Sequence, residues 1–220
     1  MKFRPLSRDP DLISADWSQP EEGYRFSRDS VVLSGLLPER APGLAADLGA
    51  GCGVVSLEAL ASGRLKGLEG LYLVEREEYF LSSLAANVRR AGRLVSDPPE
   101  TRILFKDWRD LGPGDFPGPL DLLCANPPYT PLGRGRMSPK PRNSARMELH
   151  GDLSSLLECA GRILKNGGLF CLSLPRIRLA ELLRIGGRLS FLPEFFHFPA
   201  VKNSRLALVR LSLRLRRRPR

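Results

Sequence analysis

Residues 44 to 53 read Leu44-Ala45-Ala46-Asp47-Leu48-Gly49-Ala50-Gly51-Cys52-Gly53. A short apolar run ends in a turn with glycine at alternate positions. Val54 to Ala61 then continues with apolar residues at helical spacing. The segment therefore predicts a strand, a tight turn and a helix. Glycines at such a turn remove the Cβ atoms that would keep a ligand off the backbone. An ordinary βα turn uses glycines too, so this run alone leaves both readings open.

The same unit recurs on both sides. Leu71-Tyr72-Leu73-Val74 predicts a second strand and Glu77 to Ala91 a helix; Arg102 to Phe105 and Leu120 to Ala125 predict a third and fourth strand. Upstream, Tyr24 to Leu37 predicts a short helix capped by Asp29 or Ser30. Downstream, Asp152 to Leu164 predicts a helix with Asn166-Gly167-Gly168 as its glycine C-cap. Leu169 to Leu174 follows as a fifth strand, and Pro175 opens a helix to Ile185. Leu189 to Phe195 and Leu206 to Leu215 are two strands with no helix between them, which predicts an antiparallel hairpin at one edge. Strand–helix alternation of this kind predicts an α/β fold with a doubly wound, mostly parallel sheet of seven strands. The expected layout is an irregular segment over residues 1–22, a single domain over 23–213 and a basic tail over 214–220.

Charge is unevenly placed. The chain of 220 residues carries 34 basic and 24 acidic side chains, a net charge of +10. Arg134, Arg136, Lys140, Arg142 and Arg146 lie in 130–147 with no acid among them. Arg205, Arg210, Arg214, Arg216, Arg217, Arg218 and Arg220 lie in 205–220, again with no acid. Those twelve account for the whole excess, since 22 basic residues then face 24 acidic ones. A partner of dense negative charge, RNA or DNA, fits this placement, and a solvated loop with a solubilising tail is the plainer reading. The scattered Cys52, Cys124, Cys159 and Cys171 contain no CxxC pair and are expected to be free buried thiols. With only His150 and His197 besides, no metal is implied. No run approaches the roughly 18 apolar residues of a membrane span. Met1-Lys2-Phe3-Arg4-Pro5 lacks the apolar stretch of a secretion signal, so the expected location is cytoplasmic.

Three further features bear on chemistry. Glu75 ends the second strand 24 residues after Gly51, where a carboxylate can accept both hydroxyls of a ribose. The turn spells GxGxG, not the GxGxxG of nicotinamide enzymes, which favours an adenosine ligand without a pyrophosphate. Asp107 and Trp108 close the third strand, where the acid can either receive an adenine amino group or simply cap the next turn. The most specific feature is Asn126-Pro127-Pro128-Tyr129, directly after the fourth strand. The Asn126 and Pro127 carbonyls offer two acceptors for a planar NH₂ group, and Tyr129 a face on which a flipped base can stack. The lone pair of such a nitrogen is delocalised. Two acceptors holding its hydrogens favour pyramidalisation and aim the lone pair at a methyl donor without a separate general base.

On these motifs the chain resembles class I, Rossmann-like methyltransferases with an NPPY motif. Within them it resembles the bacterial tRNA (adenine-N6)-methyltransferases that act on a valine tRNA. The resemblance covers roughly residues 20–185. It includes Gly23-Tyr24-Arg25-Phe26-Ser27-Arg28-Asp29, Ala145-Arg146-Met147-Glu148, Gly151-Asp152-Leu153, Leu164 to Gly168 and Leu174-Pro175. It implies S-adenosylmethionine as cofactor. It further implies that Arg25, Phe26 and Asp29 lie near the cofactor's methionine end, and that Asp47, Gly49, Ala50, Gly51, Gly53, Glu75, Asp107, Trp108 and Asn126 complete the cofactor site. Asn126, Pro127, Pro128 and Tyr129 are then catalytic, and Arg134, Arg136, Lys140, Arg142 and Arg146 meet the RNA. The chain departs from the family in its arginine-rich 134–146 and 214–220, and matches only loosely after Ile185. Competing readings are a glutamine-amide protein methyltransferase, an rRNA guanine-N2 or DNA adenine-N6 methyltransferase, and a non-catalytic RNA-binding protein. The first normally carries a helical N-terminal domain, which about 20 residues before Tyr24 cannot supply.

Overall fold

The computed structural model describes residues 15–21, 26, 28–127, 153–199 and 205–215. The strands are β1 (Arg40–Leu48), β2 (Lys66–Glu75), β3 (Glu100–Phe105), β4 (Leu120–Ala125), β5 (Leu164–Pro175), β6 (Phe191–His197) and β7 (Leu206–Leu213). The helices among the described residues are α1 (Arg28–Ser34), α2 (Val54–Ala61), α3 (Glu78–Leu94), α4 (Leu153–Ile163) and α5 (Leu179–Arg188). All seven strands form one sheet in the order β3-β2-β1-β4-β5-β7-β6. The first five run parallel, and β7 is antiparallel to both of its neighbours. The doubly wound sheet and its edge hairpin are thus as the sequence predicts.

The strands are apolar on both faces because both faces are covered. Leu120, Leu123 and Ala125 of β4 enter the core under α4 and α5, while Leu122 and Cys124 enter the core under α1, α2 and α3. In β2, Tyr72 and Val74 face the first core, and Leu71 and Leu73 the second. A fully buried leucine of this kind contributes roughly 1.5–3 kcal/mol. The chain leaves β1 toward β2 on one side and later returns to place β4 on the other. That reversal opens a crevice at the carboxyl ends of β1 and β4, where open α/β sheets bind ligands.

Two predicted boundaries are corrected. Asn166-Gly167-Gly168 does not cap a helix: α4 ends at Ile163 and these residues belong to β5. Pairing with β4 jumps from Leu120↔Leu164 to Leu122↔Leu169, so the extra residues form a bulge, with Gly167 at φ 84°. A Cβ on Gly168 would lie 2.9 Å from the Lys165 carbonyl oxygen, so the glycines serve the bulge. Pro175 ends β5 and does not begin a helix; a 3₁₀ turn over Arg176–Arg178 precedes α5. Of the predicted helix from Tyr24 to Leu37, only Arg28–Ser34 is helical among the described residues: Phe26 lies outside it, and the chain turns over residues 35–37.

Candidate active site

The turn after β1 is left-handed at Gly49 (φ 68°), Gly51 (φ 57°) and Gly53 (φ 82°), a conformation that costs glycine little. At Gly53 space adds a second constraint, since a Cβ would come within 2.8 Å of Leu57 and Leu84. Beneath the turn, Asp47 is buried and accepts the Ser56 hydroxyl (2.7 Å) and the Ser56 N–H (3.3 Å), tying β1 to α2. Burial pushes its pKa up to about 6, against the opposing pull of those hydrogen bonds.

Glu75 stands across from the turn at the end of β2. Its Oε2 accepts the Gly51 N–H at 2.7 Å, and its Oε1 accepts the N–H groups of Arg76 and Glu77, each at 2.8 Å. Burial raises its pKa, while the three backbone donors hold it down in part. A carboxylate has about four acceptor positions, so one remains on Oε2. Turn and carboxylate line one wall of a cavity that opens to solvent. Val54, Val55, Phe80 and Trp108 add apolar surface, and Arg76 and Lys106 bring positive charge. Cys52 also lines the cavity, but burial pushes its thiol up to about 11, so it stays neutral.

Asn126 lies on the far side, one residue beyond β4. Its Nδ2 donates to Ser30 Oγ of α1 at 2.8 Å, and its Oδ1 accepts the Ser173 hydroxyl of β5. The amide therefore bridges a helix and a strand beside the cavity it lines.

No family profile matches the chain. Over 172 residues, 74% of the chain, it is 28% identical to the tRNA1(Val) (adenine(37)-N6)-methyltransferase of Dickeya chrysanthemi. The match spans 62% of that relative's length. Among solved structures it resembles a SAM-dependent O-methyltransferase of Thermotoga maritima, with a TM-score of 0.59 and 16% identity over 90% of this chain and 69% of that one. It also resembles TrmN of Thermus thermophilus, with a TM-score of 0.56 and 21% identity over 84% of this chain and 47% of that one. The fold is that of the class I methyltransferases.

Within this methyltransferase fold the structure brings Phe26, Gly49, Ala50, Gly51, Glu75, Trp108 and Asn126 to one cavity. Asp29, Asp47, Gly53, Asp107 and Pro127 are not among its lining residues. Asp107 follows the plainer of its two readings. It accepts the Arg109 N–H at 2.9 Å, capping the 3₁₀ turn Trp108–Asp110, and pairs with Arg76 (2.9 Å) and Arg109 (2.6 Å). Burial alone would raise its pKa, but those partners hold it well below the usual carboxylate range. Arg25, Pro128, Tyr129, Arg134, Arg136, Lys140, Arg142 and Arg146 lie outside the described residues. Ser30, Phe80 and Lys106 line the cavity without having been singled out from sequence as site residues. Phe80 carries a usable signal, as the inward apolar residue of the helix following Glu75. All four cysteines are free and buried, as expected. Among the described residues no helix is long and apolar enough to cross a membrane.

Proposed function

We propose that the chain is an S-adenosylmethionine-dependent N-methyltransferase that methylates N6 of an adenine in RNA, tRNA being the simplest case. The observation that carries this reading is the Asn126 amide, set at the end of β4 beside the cavity formed by the glycine turn and Glu75. The donor set suits the cofactor: a turn stripped of Cβ atoms, a buried carboxylate with one free acceptor position, and aromatic walls. Glu75 would accept from the ribose, and Phe80 and Trp108 would flank the adenosine. When bound, the cofactor supplies an electrophilic methyl group on a sulfonium.

The chain's own residues do the rest by placement. The Asn126 and Pro127 carbonyls accept the two N–H groups of the target amine and turn its lone pair toward the donor. Once the nitrogen has taken up that methyl group, positive charge would develop on it. The same two carbonyls stabilise that charge until a proton leaves to solvent. Tyr129 would stack the extruded base, and Arg134, Arg136, Lys140, Arg142 and Arg146 would meet flanking phosphates. The relative's 28% identity supports an adenine in tRNA over a protein amide.

The test is methyl transfer from labelled cofactor to unmodified valine tRNA, followed by mass spectrometry of the nucleosides. N6-methyladenosine is the expected product. Label on guanosine or on protein, or none at all with cofactor bound, overturns the reading.

A further inference from the structure

We infer that Ser30 and Ser173 are positioning residues that hold the Asn126 amide fixed in the site. The inference deepens the function proposed above and rests on it for its catalytic consequence. A free asparagine amide rotates about its last torsion through a broad well, so its acceptor direction is poorly defined. Here both ends are held. Ser173 Oγ donates to Oδ1, and Nδ2 donates to Ser30 Oγ at 2.8 Å. Ser30 is 4% exposed and Ser173 0%, so water does not compete well for either contact.

The two contacts have different effects. The Ser173 hydroxyl takes one lone pair of Oδ1 and leaves the other, in a fixed direction, for one hydrogen of the target amine. Donation from Nδ2 to Ser30 draws the amide toward its charge-separated form, which strengthens Oδ1 as an acceptor. The serines come from α1 and β5, 96 residues before Asn126 and 47 residues after it. Loss of either frees the amide to rotate in the ground state, so part of the orientation must be regained in the transition state.

Ser30→Ala and Ser173→Ala test this, with Ser212→Ala as control. Ser212 is a serine of β7, 1% exposed, whose hydroxyl meets Arg214 and not Asn126. The first readout is hydrogen exchange of the Asn126 side-chain NH₂ in ¹⁵N-labelled protein, its signal assigned by its absence in Asn126→Asp. Exchange should accelerate about tenfold or more in both serine variants and stay unchanged in Ser212→Ala. The second readout is methyl transfer at saturating RNA and cofactor. In Ser173→Ala kcat should fall about tenfold, with S-adenosylhomocysteine affinity within about twofold of wild type. Wild-type exchange in both serine variants overturns the inference, as does an equal loss of kcat in Ser212→Ala. If exchange accelerates as expected but the wild-type protein methylates no RNA, the clamp stands and the proposed reaction falls.

Discussion

Glu75 shows how one side chain can hold a turn together and still face an open cavity. Three backbone N–H groups converge on its carboxylate, and the cavity opens beside it. Glu75→Ala should weaken S-adenosylhomocysteine binding by roughly 1–3 kcal/mol, as expected for losing an acceptor of hydrogen bonds to a charged group. It should also lower the thermal midpoint of the ligand-free protein, because three N–H groups lose their acceptor. Calorimetry and a thermal melt read the two effects separately, and unchanged affinity would remove the ribose assignment. Glu75 was legible in the sequence because its register against the glycine turn is a local property of a βα unit. The serines around Asn126 were not. Ser30 lies 96 residues before it and Ser173 lies 47 after it, and no local pattern links such positions. The pairing of Asp107 was not legible either, since its partner Arg76 comes from another strand end, 31 residues away.

At the level of elements, the joint between β1 and α2 is closed by a buried carboxylate, and this makes it sensitive to pH. Asp47 has a pKa of about 6 in the folded chain against an ordinary value of 3.8, with burial as the leading cause. Between those values the folded protein holds the proton more tightly than the unfolded chain does. Stability from this group is therefore fully present below about pH 4 and is lost as pH rises through 6. Asp47→Asn keeps the shape and an acceptor for Ser56 but cannot ionise. Relative to wild type, the variant should gain stability between pH 4 and pH 7, on the order of 2–3 kcal/mol. Urea midpoints of both proteins at the two pH values measure this. The carboxylates held low by basic partners, Asp107, Asp115 and Glu181, are common to both proteins and cancel in the difference. A difference that does not change with pH would mean that Asp47 is not buried as a charge. The strand ends that form this joint were legible from apolar runs and glycines. The bulge in β5 was not, because Asn-Gly-Gly after a helix reads equally well as a cap. Only pairing with β4 decides between the two.

Across the whole molecule, β7 carries Arg205 and Arg214 of the basic C-terminal segment to opposite ends of the sheet's strands. Arg205 lies at the carboxyl end of β5, where its carbonyl accepts the Arg176 N–H at 2.7 Å. The same rim carries Ile177, 91% exposed, and Arg176 stacked on Phe198 at 4.8 Å. Strand β7 then runs antiparallel to β5, so Arg214 and Leu215 emerge at the amino end of β5. There the Arg214 N–H meets the Ser190 carbonyl, and the Leu215 N–H meets Asn166 Oδ1. On the reading proposed above, the charge of residues 216–220 would add to affinity for RNA and would not help to place the base. Removing residues 216–220 should flatten the salt dependence of RNA binding by about 0.7–0.9 log units per lost phosphate contact, with turnover at saturating RNA unchanged. Ile177→Asp places a negative charge on the exposed rim at no packing cost. It should weaken binding and also slow turnover, because repulsion there displaces the strand next to the target base. Filter-binding salt titrations paired with methyl transfer compare the two variants. If the truncation slows turnover as much as Ile177→Asp does, the RNA does not enter over the carboxyl ends of the strands, and the division of charge between the two ends has no part in catalysis.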